Sequence, residues 1–343
     1  MAEPDVVLEA RHLTKTFHVG RAGFGRARVS AVDDVSITLH RGESLGIVGE
    51  SGCGKTTLAR MLVGLERPDS GTISVAGRDV GSTRGGARRA LSRDIQMVFQ
   101  DPYTSLNPRL TVYDLVSEPL VVHGTERNGA ARRERVAELL DLVNLSPDMM
   151  SRFPHQFSGG QRQRIGIARA IALDPRVLVC DEPVSALDVS VQAQVVNLLR
   201  SLQQRLGLGL VFIAHDLGVV RHVSDRTAVM YLGRLAETSA TATLFTEPAH
   251  PYTQALLSAS PQVDRQRRRR MGGRIILAGD PPSPTDPPSG CRFHTRCPLA
   301  TAVCSAEQPA LTDVGLAHAV ACHHRDEARA LALNRSEAVV DRG

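Results

Sequence analysis

No stretch of this sequence approaches the roughly 18–20 apolar residues that a membrane-spanning helix needs. The longest candidate, LGLGLVFIAHDLGVV at 206–220, is interrupted by His215 and Asp216. The opening MAEPDVVLEARHL has neither a basic head nor an apolar core, which argues against a secretory leader. No extended heptad pattern is present, which argues against long coiled-coil arms. Lysine is almost missing: Lys15 and Lys55 are the only two in 343 residues, and arginine carries nearly all of the basic charge. Such a bias is better read as genomic than functional, yet it draws attention to where lysine is kept. The formal net charge of +5 is modestly basic and compatible with nucleotide, anionic lipid or nucleic acid.

Lys55 lies in SLGIVGESGCGKTTLARMLVGL, residues 44–65. An apolar run that reads as a strand leads into Gly49, Glu50, Ser51, Gly52, Cys53, Gly54, Lys55, Thr56 and Thr57, and a helical pattern follows. Gly49, Gly54, Lys55 and Thr56 fit G-x-x-x-x-G-K-[ST], a loop whose backbone N–H groups converge on phosphate oxygens at a helix N-terminus. Lys55 is placed to reach terminal phosphates, and the Thr56 hydroxyl to hold magnesium. The strand-then-helix context favours this over a chance glycine-rich turn. A second apolar strand, in DPRVLVCDEP at 174–183, ends in Asp181 and Glu182. Asp181 is placed to hold magnesium and Glu182 to orient or deprotonate a water.

The segment FSGGQRQRIGIARAIALDP at 157–175 resembles the signature motif of ABC ATPases. Ser158, Gly159, Gly160 and Gln161 open its helix, a second anion-binding helix start. The resemblance implies that these four residues face a nucleotide held by a partner cassette in a head-to-tail dimer. It also assigns Gln100 in IQMVFQDP to magnesium and the attacking water, and Asp188 in SALD to the loop crossing the dimer interface. His215 in VFIAHD is assigned to the terminal phosphate, and Phe17 in LTKTFHV to adenine stacking; packing in a core strand is the plain alternative for Phe17. The implied fold is α/β, a P-loop NTPase of ABC type. It comprises a RecA-like parallel-sheet core, an antiparallel β subdomain and a helical signature subdomain at about 101–160. The ATPase domain is expected at 1–258 and a cysteine-containing extension at 259–343.

VGESGCGKTTLAR, QMVFQDPYTSLNPR, DEPVSALDVSVQAQVVNLL and EPAHPYTQALLSASP together look like the ATPase subunits of dipeptide and oligopeptide importers, nearest to the F-type subunit. The implied activity is ATP hydrolysis with ATP and Mg, powering peptide uptake. The implied partners are a second homologous ATPase in a heterodimer, two transmembrane permeases and, indirectly, an extracytoplasmic binding protein, with no nucleic acid expected. The implied location is the cytoplasmic face of a bacterial membrane. Nickel or other small-solute importers share the outline, and a soluble ABC ATPase in a metabolic or nucleic-acid complex is the reading from a different class.

Beyond the cassette, RQRRRR at 265–270 is an arginine run read as a solvated linker, RIILAG at 274–279 suits a short strand, and GDPPSPTDPPSG at 279–290 is proline-rich. Cys291, Cys297, Cys304 and Cys322 then follow with spacing C-x5-C-x6-C-x17-C. In a cytosolic protein such a set leans to a metal rather than disulfides. The spacing lacks the tight C-x2-C pair of zinc fingers. The resemblance implies a 4Fe-4S cluster here, with zinc or four reduced thiols as alternatives. Cys53 and Cys180 read as packing residues.

Overall fold

The computed structural model describes residues 5–21, 24–81, 85–101, 105–126, 128–260, 275–277 and 279–337. The arginine run at 265–270 lies outside them. Residues 275–277, where a short strand is expected, carry no strand; the Ile275 N–H instead donates to Ser258 Oγ at 2.9 Å.

Two sheets organise the chain. The smaller is antiparallel in the order β2-β1-β4-β5, built from β1 (Val6–Arg21), β2 (Phe24–His40), β4 (Ser70–Val75) and β5 (Arg78–Asp79). The larger runs β11-β12-β10-β9-β3-β8-β7-β6. Its parallel part contains β6 (Ile95–Val98), β7 (Val177–Asp181), β8 (Gly209–Ala214), β3 (Ser44–Val48) and β9 (Arg226–Tyr231). The strands β10 (Arg234–Ala240), β12 (Ala319–Val320) and β11 (Thr312–Asp313) then extend it antiparallel. The cysteine segment thus adds two strands to the sheet that carries the phosphate loop.

Strand periodicity explains the core. In β7, Val177 and Val179 point to one hydrophobic cluster and Leu178 and Cys180 to the other. In β8, Val211 and Ile213 face the first and Leu210 and Phe212 the second. Both faces are therefore apolar, as expected of a parallel sheet covered on two sides. The first cluster takes in the antiparallel sheet and α1 (Lys55–Leu62). The second takes in the helical layer, where α3 (Val112–His123) and α4 (Gly129–Leu142) pack on α5 (Gly159–Ile171). Each fully buried Leu or Ile contributes roughly 1.5–3 kcal/mol.

The remaining helices are α2 (Gly86–Asp94), α6 (Val189–Leu206), α7 (Leu217–Val223), α8 (Thr241–Thr246), α9 (Pro251–Ala259), α10 (Ala302–Ala306) and α11 (Arg325–Glu337). Local chemistry starts several of them. Thr111 and Asp114 form a reciprocal capping box for α3, and Gly124 ends that helix in the left-handed region. Asn128 caps α4, Asp188 caps α6, and His250 caps α9 ahead of Pro251 at its first turn. Among the described residues no helix is long and apolar enough to cross a membrane.

Candidate nucleotide site and the cysteine segment

Strand β3 is buried along its whole length and delivers the chain into the loop at 49–54. Glycine is obligatory at two of these positions. A Cβ at Gly54, whose φ is 107°, would sit 1.9 Å from the Ala31 carbonyl oxygen, and one at Gly49 would sit 2.1 Å from that of Met230. Lys55 opens α1 and is buried, its Nζ donating to the carbonyls of Gly49 at 2.8 Å and Glu50 at 3.0 Å. The ammonium thus lies within the curl of the loop, with Cys53 packed behind it, and burial pushes that thiol up.

The carboxylates sit at the neighbouring strand end. Thr56 Oγ1 donates to Asp181 Oδ1 at 3.2 Å. Burial pushes the Asp181 carboxyl up while the Thr56 hydroxyl opposes the shift. Glu182 is the first residue past β7 and has a φ of 44°. Its N–H donates to the Ile213 carbonyl at 3.0 Å, which anchors this left-handed turn to β8. Glu182 Oε2 accepts from Gln100 Nε2 at 3.2 Å and lies 3.7 Å from His215 Nδ1. Gln100 follows β6, Glu182 follows β7 and His215 follows β8, so three adjacent parallel strands bring three side chains to one oxygen. This is the C-terminal edge of a parallel sheet, where ligands of such folds bind. The cluster can hold a phosphate-bound cation through Thr56 and Asp181 and aim a water through Glu182.

The signature residues form a separate constellation. Ser158 caps α5: its Oγ accepts from Gln161 N–H at 3.3 Å, and its own N–H donates to Gln161 Oε1 at 3.0 Å. Gly160 packs so tightly on α6 that a Cβ there would lie 2.3 Å from Val191 Cγ1. Asp188 Oδ1 accepts from Ser190 Oγ and Val191 N–H, and those bonds hold its carboxyl below the usual range. The signature start and the Asp188 turn therefore form one packed surface. Phe17 lies on β1, 36% exposed, with Lys15 Nζ 5.4 Å from its ring centre; it is not a core residue.

Cys291, Cys297 and Cys322 are half-buried and Cys304 is buried; all four are free thiols. The set is close enough for mutual repulsion of the charged forms. Burial, with smaller contributions from the other cysteines, pushes Cys297 up to about 11 and Cys322 up to about 12. Among the described residues no three or more His, Cys, Asp or Glu side chains are arranged to hold a single metal ion. His323 and His324 bond to Glu307 O and Thr301 Oγ1, and His318 to Glu237. Cys180 is fully buried, and burial raises its thiol.

Two residues to which the sequence assigned no role at the loop touch it. The Tyr252 hydroxyl accepts from the Glu50 N–H at 2.9 Å, and Arg296 Nη1 donates to both Glu50 carboxylate oxygens at 3.1 and 2.9 Å. The HPYT string was a visible signal for Tyr252 as a helix start, but its contact spans 202 positions and leaves no local trace.

The chain is similar to known proteins along most of its length. A family model described as ABC transporter matches residues 32–185, and one described as oligopeptide/dipeptide transporter, C-terminal region, matches 236–304. The chain is 49% identical to the oligopeptide transport ATP-binding protein AppF of Bacillus subtilis, over 94% of this chain and 98% of that one. It is likewise 49% identical to the di/tripeptide transport ATP-binding protein DppF of Pseudomonas aeruginosa, over 94% and 99%. A dimeric post-hydrolysis structure of the ATP-binding cassette MJ0796, bound to ADP and Pi, is similar with a TM-score of 0.61 and 28% identity, covering 68% of this chain and 98% of that one.

Proposed function

Because this chain belongs to the ABC transporter ATP-binding family and carries that family's oligopeptide/dipeptide C-terminal region, we propose that it powers uptake of di- and oligopeptides across the cytoplasmic membrane. It is an ATPase that uses MgATP. The single observation that carries the peptide reading is similarity at about half identity along nearly the full length, tail included, to peptide-transport relatives.

In the reaction we assign, the N–H groups of residues 50–56 and Lys55 would cradle the phosphates, and Thr56, Asp181 and Gln100 would hold the magnesium that offsets the phosphate charge. Glu182 takes the proton of the attacking water; Gln100, which donates to its Oε2, also contacts that water, and His215, 3.7 Å from the same oxygen, contacts the terminal phosphate. Ser158, Gly159, Gly160 and Gln161 serve the nucleotide of a partner cassette, and Asp188 lies at that interface. Phe17 is exposed enough to stack on adenine. Closure of two cassettes on ATP moves two permease subunits, and hydrolysis reopens them. We take the second cassette to be a homologous, non-identical subunit, the catalytic unit as 1–258 and the extension as 259–343. A binding protein on the far side of the membrane supplies peptide.

We assign the four cysteines to a polynuclear iron–sulfur group, with zinc as the alternative. What supports this reading is the set of four free, buried or half-buried thiols in and just beyond the region matched by the oligopeptide/dipeptide family model; a resident group would have to draw them into a coordination sphere, since among the described residues they form none.

The test is ATP hydrolysis by the complex reconstituted with its two permeases and binding protein. A peptide mixture should raise turnover; nickel ion should not. Stimulation by nickel and not by peptide would overturn the substrate class while leaving the ATPase intact.

A further inference from the structure

Glu50, the second residue of the phosphate loop, is pinned on three sides. Its carbonyl accepts from Lys55 Nζ at 3.0 Å, its N–H donates to Tyr252 Oη at 2.9 Å, and its carboxylate accepts from Arg296 at 2.9 and 3.1 Å. Only the first partner belongs to the loop. Tyr252 comes from α9, and Arg296 comes from the cysteine segment, one residue before Cys297.

Neither contact is a casual surface bond. Tyr252 is fully buried, and the Arg296 side chain is 8% exposed. The rings of Tyr252, Tyr231 and Phe293 pack mutually, with centroids 4.6, 5.3 and 5.4 Å apart. Phe293 lies between Cys291 and Cys297, and the Tyr231 hydroxyl accepts from Arg296 at 3.4 Å. Beside this, Arg292 donates to the Leu232 carbonyl and to Asp33, which also accepts from Arg234 at 2.9 Å. The cost of the arrangement is visible: Arg296 Nε is buried with no hydrogen-bond partner among the described residues.

We propose that Tyr252 and Arg296 are positioning residues for the nucleotide reaction, fixing the phosphate loop through Glu50, so that the cysteine segment sets the loop's affinity for MgATP. The inference rests on reading residues 49–57 as the phosphate-binding loop. Neither residue touches the reacting atoms. Together they hold the Glu50 peptide plane, and with it the carbonyl on which Lys55 rests and the direction of the N–H groups that follow. Preorganised donors bind phosphate without having to be ordered at the moment of binding.

The experiment uses the full-length chain and measures the dissociation constant for MgATP, with steady-state KM and kcat, for wild type, Arg296→Ala, Arg296→Lys, Glu50→Gln, Tyr252→Phe and the double variant Glu50→Gln/Arg296→Ala. Arg296→Ala should weaken MgATP binding about fivefold or more and raise KM similarly, with kcat changed far less. Arg296→Lys should recover part of the loss. The double variant should be no worse than the poorer single, because both break one contact. Wild-type affinity in Arg296→Ala, or losses that add in the double variant, would overturn the proposal. If Arg296→Ala does not fold, Glu50→Gln and Tyr252→Phe decide, since neither alters the cysteine segment: weakened MgATP binding in both supports the inference and wild-type affinity in either refutes it. Failure of the wild-type chain to bind MgATP at all is a separate result, and it removes the nucleotide reading itself.

Discussion

At the level of single residues, Glu182 combines two unusual features. It adopts a φ of 44°, which costs an L-residue energy, and its carboxylate is met by Gln100 and His215. Glu182→Gln keeps the shape and removes the base, so hydrolysis should fall by about 10²-fold or more while MgATP binding persists. Single-turnover phosphate release checks it, and near-normal release would remove Glu182 from its role. His250 gives a different handle. It caps α9, its ring nitrogen accepts from the Tyr252 N–H, and burial lowers it from 6.5 to about 4. The folded state therefore binds fewer protons than the unfolded state between those values. Stability from this group is complete above pH 6.5 and is lost as pH falls towards 4. The carboxylate of Glu237, which accepts from the His250 N–H, faces the same site. His250→Asn keeps a capping side chain and should flatten the Tm–pH slope over that window; an unchanged slope would assign the effect elsewhere.

At the level of elements, the helix starts were legible because they are local. Ser158 with Gln161 is a short-range hydrogen-bonding pattern, as is the Gly49–Thr56 loop between a buried strand and a helix. The strand ending at Asp181 was legible as an apolar run. Glu182 was legible as a carboxylate at a strand end, Gln100 and His215 only through family resemblance, and the closeness of the three depends on a strand order, β8-β7-β6, that no local pattern encodes. The fit of α5 on α6 was not legible either. Gly160→Ala should cost about 1–3 kcal/mol through its clash with Val191, and Val191→Ala in the same chain should recover most of it. Chemical denaturation of the two variants measures this; no recovery would mean the glycine serves the backbone rather than the packing.

At the level of the whole molecule, the cysteine segment is bound by more than its own thiols. β12 pairs with β10 through Glu237↔Val320 and Thr238↔Ala319. Buried Glu237 accepts from His318 Nε2 at 2.7 Å and from the N–H groups of Ala249 and His250. Gln254 of α9 donates to the Ala328 carbonyl of α11 at 2.7 Å. His318→Ala removes one of three donors from a buried carboxylate and should cost about 1.5–3 kcal/mol. A thermal melt with little change would show that water or a neighbour replaces the imidazole. These long-range pairs could not be seen in the sequence, where the arginine run and prolines suggested only a tethered appendage. Residues 258 and 318 are distant in the chain, yet the sheet, the Glu237 cradle and the Glu50 clasp all close across that gap. A chain made as two polypeptides, 1–260 and 275–343, should therefore reassemble on co-expression and co-purify as a binary complex. Pieces that failed to co-purify would show that covalent continuity, and not these contacts, holds the tail in place.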